Sequence, residues 1–310
     1  MRLKLSALII LALPIGCSVA NAQLHFGATT AYNATFVLDK GLSEDPRYSS
    51  TYSYQLAPIG FNLGLDVGRK FGLQLESILS NQGQIYEMVD FAKKVAGERK
   101  IDLQYINVPL LMKFMGGGAG KARGNFNIGP QVSILTKAVE SIKANPGIFS
   151  IPTNLSFADI QKDFPTAILD ANTGNYSLPS AGTYAIPGGV SFEDISKVYP
   201  QAVNAGNGQY TLPANGTTMA KDLLTKKAND FKKAEFQIAV AFGLDIDLSK
   251  HLFLSTQIRA NYSLMDMRNG DVIDAIKNGA YSDVFGGRAN LLVGAQIGLH
   301  YYFGTLRSFK

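Results

Sequence analysis

The stretch that decides the fold runs from residue 233 to residue 248 and reads Lys-Ala-Glu-Phe-Gln-Ile-Ala-Val-Ala-Phe-Gly-Leu-Asp-Ile-Asp-Leu. From Phe236 onward, a large apolar side chain stands at every even position and a small or polar one at every odd position. Neighbouring side chains of a β-strand point to opposite faces, so this alternation predicts a strand with one apolar and one polar face.

The same pattern recurs in eight segments, each long enough for a tilted strand that crosses the hydrocarbon layer, which takes roughly 9 to 11 residues. The predicted strands lie near residues 23–36, 56–68, 71–83, 99–114, 124–137, 233–248, 252–264 and 289–303. In a bilayer, strands satisfy their backbone hydrogen bonds only by closing into a barrel. The sequence therefore predicts an all-β fold, an eight-stranded antiparallel transmembrane β-barrel over residues 23–310.

The connections between the predicted strands alternate in length. Those at residues 68–70, 115–123 and 249–251 are short, and those at 37–55, 84–98, 138–232 and 265–288 are long. Outer-membrane barrels have short periplasmic turns and longer extracellular loops. We therefore expect the protein to lie in the cell outer membrane and to contact its lipid. A soluble barrel of the lipocalin type also has eight alternating strands, but its outward face would be polar. The continuous apolar face favours the membrane barrel.

The first residues have the features of a secretory signal peptide, predicted over residues 1–22. Arg2 and Lys4 precede an apolar run, and Ala20-Asn21-Ala22 is a small-residue cleavage pattern. A lipoprotein signal ending at Cys17 is the alternative, although Pro14-Ile15-Gly16 is a poor approach to a lipidated cysteine. Cleavage after Ala22 would remove the one cysteine, which excludes disulfides and thiolate chemistry in the mature chain. The formal net charge is +5, and removal of the signal peptide would lower it by two. A net charge this small predicts no nucleic-acid partner.

One segment resembles a known family. Residues 105–114 read Tyr-Ile-Asn-Val-Pro-Leu-Leu-Met-Lys-Phe, and Gly129-Pro130 follows in the next predicted strand. Together with Gly60-Phe61-Asn62-Leu63-Gly64 and Phe26-Gly27, this segment resembles the PorT-type outer-membrane β-barrel family of Bacteroidota. The resemblance covers the barrel and not the long insertion. It implies an eight-stranded barrel of mostly unassigned role, a few members of which assist protein secretion or gliding.

Residues 141–230 form a predicted extracellular insert that contains two copies of one unit, residues 149–183 and 184–217. The copies share fifteen identities, among them Ile151-Pro152 with Ile186-Pro187, and Tyr176 with Tyr210. So many matches over so short a span indicate a duplication. Each copy also carries a helix signal, a serine cap followed three residues later by an aspartate and closed by a proline. We therefore expect a partly helical cap over the barrel mouth, with a lysine-rich helix near residues 218–232.

Two interpretations of this insert remain open. It shields the barrel, or its apolar side chains present a binding surface. The candidate binding residues are Phe157, Tyr176, Leu178, Phe192, Tyr210 and Leu212. Duplication indicates modularity and does not indicate recognition.

Charged side chains on the inward parity predict a network inside the barrel. Its members are Asp66, Glu76, Lys113, Glu235, Asp245 and Arg259. They could form a proton or solute path, but side chains fill so narrow a barrel, and mutual pairing is the ordinary solution for buried charges. Arg259 with Glu76 is the predicted pair.

No motif for catalysis or metal binding is complete. His25, His251 and His300 have no metal-ligand spacing and no Gly-x-Ser-x-Gly motif beside them. Gly116 to Lys121 resembles a phosphate loop, but Met115 and Ala122 replace residues that such a loop requires. Asp170-Ala171-Asn172-Thr173-Gly174 resembles the start of a calcium loop without its closing glutamate. We therefore expect no catalytic residues, no metal site and no cofactor.

These observations favour a non-enzymatic outer-membrane barrel that acts as an anchor or accessory subunit. It would present the insert to an envelope or secretion-system protein. The alternative is a transport or secretion component whose barrel passes or gates a solute.

Overall fold

The computed structural model describes residues 22–39, 48–90, 94–116, 120–151, 156–164, 167–178, 182–186, 188–198, 202–212, 217–222, 231–278 and 287–306. The predicted signal peptide, residues 1–22, lies outside this part of the chain except for Ala22. Within the described residues, no helix is long and apolar enough to span a bilayer.

The described chain is built mainly of strands. In chain order they are β1 (Ala22–Asp39), β2 (Tyr48–Thr51), β3 (Ser53–Leu56), β4 (Gly60–Val67), β5 (Phe71–Val89), β6 (Val95–Met115), β7 (Ala122–Ala144), β8 (Gly147–Ser150), β9 (Ile168–Leu169), β10 (Asn175–Leu178), β11 (Gly182–Ala185), β12 (Val203–Gly206), β13 (Gln209–Leu212), β14 (Thr217–Asp222), β15 (Ala234–Asp247), β16 (Leu252–Ser263) and β17 (Arg288–Tyr302). The helices are α1 (Phe157–Asp163), α2 (Phe192–Val198) and α3 (Gly270–Lys277).

Eight of the strands close into a ring. Each of β1, β4, β5, β6, β7, β15, β16 and β17 pairs antiparallel with the next, and β17 pairs back with β1 from His25 opposite Tyr302 to Asp39 opposite Arg288. The predicted eight-stranded, all-β ring is confirmed.

The ring has a polar inside and an apolar outside. Along β15, Phe236 and Phe242 are exposed, whereas Glu235, Gln237 and Asp245 between and beyond them are buried. The other ring strands also carry exposed large apolar residues and buried polar ones. This arrangement is typical of a barrel whose wall faces hydrocarbon and whose interior is filled by polar side chains.

Three strands extend beyond their predicted ends. Residues 84–98, predicted as a loop, belong largely to the hairpin of β5 and β6, and β7 continues to Ala144. Beyond the ring, β2, β5, β6, β7 and β14 form a five-stranded projection. Outside the hydrocarbon layer a strand needs no continuous apolar face, so the alternation that identified the strands disappears there.

The second predicted strand, residues 56–68, is broken. Tyr32 lies opposite Leu56 but Thr29 opposite Gly60, so the register with β1 shifts by one residue between β3 and β4. Pro58, which has no N–H to donate, lies in the break. The Thr30 hydroxyl donates a hydrogen bond of 2.7 Å to the Ala57 carbonyl oxygen and so closes the gap.

A proline in a strand removes a hydrogen-bond donor from the ladder, so the sequence predicts that Pro109 and Pro130 mark a shared bulge or a rim of the sheet. In the structure both lie inside β6 and β7 in unshifted register. Pro109 is opposite Gln131 and Pro130 is opposite Ile238. The prediction is therefore wrong, and the bulge lies instead where the β6–β7 register shifts between Gln104 and Tyr105. At the prolines the strands approach closely: a Cβ on Gly129 would lie 1.9 Å from the Leu110 carbonyl oxygen.

Two segments of the insert take the same element order. Strand β8, α1, β9 and β10 form one unit, with sheet order β8-β10-β9, and β11, α2, β12 and β13 form the next, with order β11-β13-β12. We call them the first and second repeat. Helix α2 begins with reciprocal hydrogen bonds: the Asp194 backbone N–H donates to the Ser191 hydroxyl, and the Ser191 backbone N–H donates to the Asp194 carboxylate. This is the predicted serine cap.

The lysine-rich helix predicted near residues 218–232 is not formed at its start. Residues 217–222 are strand β14, which pairs with residues 139–144 of β7, and residues 223–230 lie outside the described part of the chain. The projecting edge of β7 supplies backbone hydrogen bonds, which outweigh the weak helix preference of this segment.

Candidate functional site

The barrel interior contains the predicted ion pair. Arg259 Nη1 lies 2.5 Å from Glu76 Oε2, and Arg259 Nη2 lies 2.8 Å from Glu76 Oε1. Both side chains are buried, and Gln74 donates a further hydrogen bond of 2.6 Å to Glu76. Two parallel hydrogen bonds fix the geometry of the guanidinium and the carboxylate and leave neither charge uncompensated.

A second pair lies nearer the end of the barrel with the short turns. Lys113 Nζ lies 2.6 Å from Asp245 Oδ2, and Asn125 donates to the other oxygen of Asp245 at 2.9 Å. The Lys113 ammonium also lies 5.3 Å from the ring centre of Phe253. The interior therefore holds this lysine by charge, hydrogen bonding and aromatic contact together.

Asp66 belongs to a histidine cluster that the sequence did not predict. Its Oδ1 lies 3.7 Å from His25 Nε2, and His25 Nδ1 lies 3.3 Å from His300 Nδ1. The two histidines are far apart in the chain, but pairing of β1 with β17 makes them diagonal neighbours. Gly64 makes room for this cluster, since a Cβ there would lie 2.1 Å from the His25 ring. The contact between the two histidines could be predicted only from the register in which β17 pairs with β1, and the sequence pattern does not indicate that register.

Glu235, the sixth predicted interior residue, is held by neutral groups. It accepts hydrogen bonds from the Tyr105 hydroxyl and from the Asn290 amide, the latter at 3.0 and 3.1 Å. The structure thus pairs Glu76 with Arg259 and Lys113 with Asp245, and it places Asp66 beside the histidines. Glu235 lies apart from these charges, in a hydrogen-bonded network of its own.

An apolar cluster lies beyond Glu235 toward the long loops. We call it the apolar plug: Val37, Tyr86, Ile101, Leu103, Tyr105, Leu135, Ala138, Phe231 and Met267. Phe231 and Met267 come from connections outside the ring strands. Beside Arg259 the interior leaves a cavity of about 20 Å³, room for about one water molecule. Side chains therefore fill the barrel along much of its length.

A carboxylate clamp holds Met267 in the plug. Asp266 accepts hydrogen bonds from the Arg268 backbone N–H at 2.8 Å, from Arg268 Nη2 at 2.9 Å and from the Arg288 backbone N–H at 3.0 Å. Partial burial opposes ionisation of Asp266, but these hydrogen bonds and the Arg268 charge outweigh it, so the pKa of Asp266 lies below its usual value. The clamp ties the end of β16 to the start of β17.

The first repeat packs on the projection. Its buried residues Phe149, Ile160, Phe164, Ala167, Tyr176 and Leu178 form one core with Met88, Ala96 and Ala144 of β5, β6 and β7. A Cβ on Gly97 would lie 2.8 Å from the Phe164 ring, so this glycine is what permits the close approach. Lys94 Nζ lies 4.9 Å from the centre of the Phe149 ring.

The second repeat has a core of its own. Ile195, Tyr210 and Leu212 are buried in it, and the partly buried Tyr184, Ile186, Phe192 and Ala202 surround them. Among the described residues, this cluster contains none from the barrel. Burial raises the pKa of Tyr184, with a smaller contribution from Tyr210, whose own pKa is also raised by burial.

The six candidate binding residues lie in these two cores. Tyr176, Leu178, Tyr210 and Leu212 are buried, and Phe157 and Phe192 are partly buried. A partner would meet exposed neighbours first, such as Val203, which is 63% exposed in the second repeat. Recognition by the six side chains therefore stays a prediction, and the structure gives them a packing role.

Asp170, the first residue of the calcium-like segment, holds a turn. Its carboxylate accepts a hydrogen bond from the Asn172 backbone N–H at 2.9 Å and from the Thr173 hydroxyl at 2.8 Å. The Thr173 hydroxyl bond, together with the backbone bond, lowers the pKa of Asp170. Across the described residues, no group of three or more histidines, cysteines, aspartates and glutamates could hold a metal ion.

Comparison with known proteins gives a family and a set of similar folds. The family model of the outer membrane protein beta-barrel domain matches residues 19–176, about half of the chain. The outer membrane protein OprG from Pseudomonas aeruginosa is 10% identical, with 91% of this chain and 95% of that chain covered and a TM-score of 0.36. Neisserial surface protein A is 7% identical, with 90% and 98% covered and a TM-score of 0.34. Among curated proteins, none matches the sequence.

Proposed function

Because this chain belongs to the outer membrane protein beta-barrel domain family, we propose that it is a non-enzymatic anchor or accessory subunit that presents its insert to an envelope protein. The protein lies in the outer membrane, in contact with its lipid. The PorT-type resemblance of residues 105–114 suggests that the partner belongs to a secretion or gliding system.

The contrast between the filled barrel and the self-contained second repeat carries the proposal. Ion pairs, amide side chains and the apolar plug occupy the interior in succession, which supports an anchoring role over conduction. The second repeat keeps its own core and exposes Val190 and Val203. A unit that folds around its own core while exposing apolar side chains suits presentation to a partner.

The absence of an enzyme activity is part of the proposal. His25 and His300 are buried beside each other and contact Asp66 and Phe253. A general base needs a reacting proton within hydrogen-bond reach, and these rings instead contact protein groups in a closed interior.

The experiment is a pulldown from native outer membranes in mild detergent, with co-purifying proteins quantified by mass spectrometry. The intact protein is compared with a variant in which a flexible linker replaces residues 180–214, so that the second repeat is removed and the first keeps its contact with the barrel. We expect a near-stoichiometric partner with the intact protein and its loss with the variant.

Paired point variants sharpen this test. Val203→Glu places a charge on the second repeat, and Ile168→Glu does so at the equivalent exposed position of the first repeat, where Ile168 is 56% exposed. Val203→Glu should weaken capture of the partner and Ile168→Glu should not. Equal capture by all forms, or no partner with any of them, would contradict the proposal.

Conduction through the barrel is tested separately in planar bilayers. Wild type and a Glu76→Gln/Arg259→Gln double variant should both show no discrete openings, because the plug remains in each. Discrete openings in wild type that change in the double variant would favour a transport or secretion component instead.

A further inference from the structure

The lipid-facing wall of the barrel is interrupted by a groove. It runs across β15, β16, β17 and β1 and has a volume of about 510 Å³. Its lining includes small outward residues, Thr30, Thr256 and Ala295, between large exposed ones such as Tyr32, Phe242 and Ile258. Cavities of roughly 300–1,000 Å³ are the size that proteins use for small ligands.

The strand registers give the groove its shape. Thr30 lies opposite Ile297, which lies opposite Thr256, and in the neighbouring row Tyr32 lies opposite Ala295, which lies opposite Ile258. The small residues therefore alternate between rows and form a zigzag floor one side chain wide. Adjacent strands are about 4.8 Å apart, so the floor extends about 10 Å across β1, β17 and β16.

The break between β3 and β4 completes one end. Leu56, the last residue before the break, lines the groove and is 71% exposed. The Thr30 hydroxyl donates to the Ala57 carbonyl oxygen within the break, so its polar group is satisfied inside the protein. Thr30, one of the two threonines in the floor, therefore leaves no free hydroxyl donor for a polar ligand.

The environment and the width decide what fills the groove. Its outward residues continue the apolar wall, which faces the hydrocarbon layer of the outer membrane, where no water is present to fill a depression. An α-helix, about 10–12 Å across with its side chains, is too wide for a floor of one side chain. We infer that the groove binds one acyl chain of a membrane lipid, and that it does so more tightly than the rest of the wall.

The absence of tryptophan from the chain provides a clean test. Phe242→Trp places the one tryptophan of the variant on the rim of the groove. Phe61→Trp places a matched aromatic reporter on the exposed face of β4, where Phe61 is 56% exposed and outside the groove. Each purified variant is reconstituted into phosphatidylcholine vesicles that contain a lipid with brominated acyl chains, whose bromine quenches tryptophan. Unbrominated lipids with acyl chains of different lengths then compete.

The groove reporter should distinguish acyl chains and the control should not. We expect relative binding constants at Phe242→Trp to vary by about threefold with chain length, because a chain that fills the groove gains packing contacts. At Phe61→Trp they should stay the same. Filling the floor with Ala295→Leu or Thr256→Leu in the Phe242→Trp background should abolish the difference. The two substitutions are made separately, and retained heat-modifiable gel mobility shows that each barrel is folded.

Two results would overturn the inference. The first is identical competition curves for both reporters, unaffected by filling the floor. The second is a groove reporter that bromine does not quench at any lipid composition, together with a chemically cross-linked dimer, which would place a second copy of the chain there. Neither result bears on capture of a protein by the insert, so this inference stands or fails separately from the proposed function.

Discussion

The two repeats of the insert share their fold and differ in what covers them. The first repeat forms one core with Met88, Ala96 and Ala144 of the barrel projection, and its Phe149 is 1% exposed. The second repeat forms a core from its own residues, and Tyr184, at the position equivalent to Phe149, is only partly buried. The comparison teaches that one sequence pattern can either share a core with the barrel projection or keep a core of its own, even though α2 of the second repeat lies beside β14.

One sequence difference between the repeats follows its surroundings. A phenylalanine lies under the projection, whereas a tyrosine, which pairs an apolar ring with a polar hydroxyl, occupies the partly exposed position. At this position the second repeat is thus the more polar of the two.

The largest effect is expected from a substitution that detaches the first repeat from the projection. Phe164→Ala removes the ring that packs over Gly97, and we expect a loss of about 3–5 kcal/mol of docking stability, the usual cost of truncating a buried phenylalanine. Hydrogen exchange should rise over β8 to β10 and remain unchanged over β11 to β13. Unchanged exchange in the first repeat would contradict the docking described above.

The reciprocal test truncates the second repeat. Leu212→Ala removes a fully buried side chain, and about 3 kcal/mol of local stability should be lost through the lost burial and the resulting cavity. Because this core includes no barrel residue among those described, exchange should rise in the second repeat while heat-modifiable gel mobility of the barrel stays as in wild type. A loss of barrel stability would show that the two cores are coupled.

Substitutions at the helix caps test the same comparison with a smaller expected loss of stability. Ser191→Ala removes the hydroxyl that accepts from the Asp194 backbone N–H and should destabilise α2 by about 1 kcal/mol. Ser156→Ala in the first repeat is the matched variant. We expect less change in the amide exchange of α1, since packing against the projection holds it. Equal increases in both helices would mean that docking adds nothing to α1.

The smallest expected effect is a difference in pH response. The pKa of Asp170 lies below its usual value, so its turn is stabilised above about pH 4 and loses that contribution as the pH falls through the lowered pKa. In the second repeat, Asn204 accepts the corresponding hydrogen bond from Gly206 and does not titrate. Exchange of the Asn172 amide should therefore be enhanced at low pH relative to that of Gly206. Asp170→Asn should remove the difference, and its persistence in that variant would assign it to another group.

The barrel strands could be predicted from the sequence because each of them faces lipid on one side and the polar interior on the other. The alternation from Phe236 to Leu248 locates a strand and predicts which side faces lipid, and the interior pair Glu76–Arg259 follows from the same parity. Outside the hydrocarbon layer this constraint ends. The extensions of β5, β6 and β7 and strand β14 were therefore missed.

Contacts that depend on the assembled fold could not be predicted. Docking of the first repeat depends on Gly97, which looks in the sequence like a turn residue in a predicted loop. The buried positions of Tyr176 and Tyr210 depend on how each small sheet folds over its helix. A short apolar motif does not indicate by itself whether it will be a core or a surface.

The contact between His25 and His300 has a consequence for assembly. These rings come from the first and the last strand of the ring, so they meet only when β17 has paired with β1. An open sheet with seven correct strand pairings would leave them apart. The resonances of the two imidazoles therefore offer a reporter of the moment at which the barrel seals, distinct from any measure of strand content.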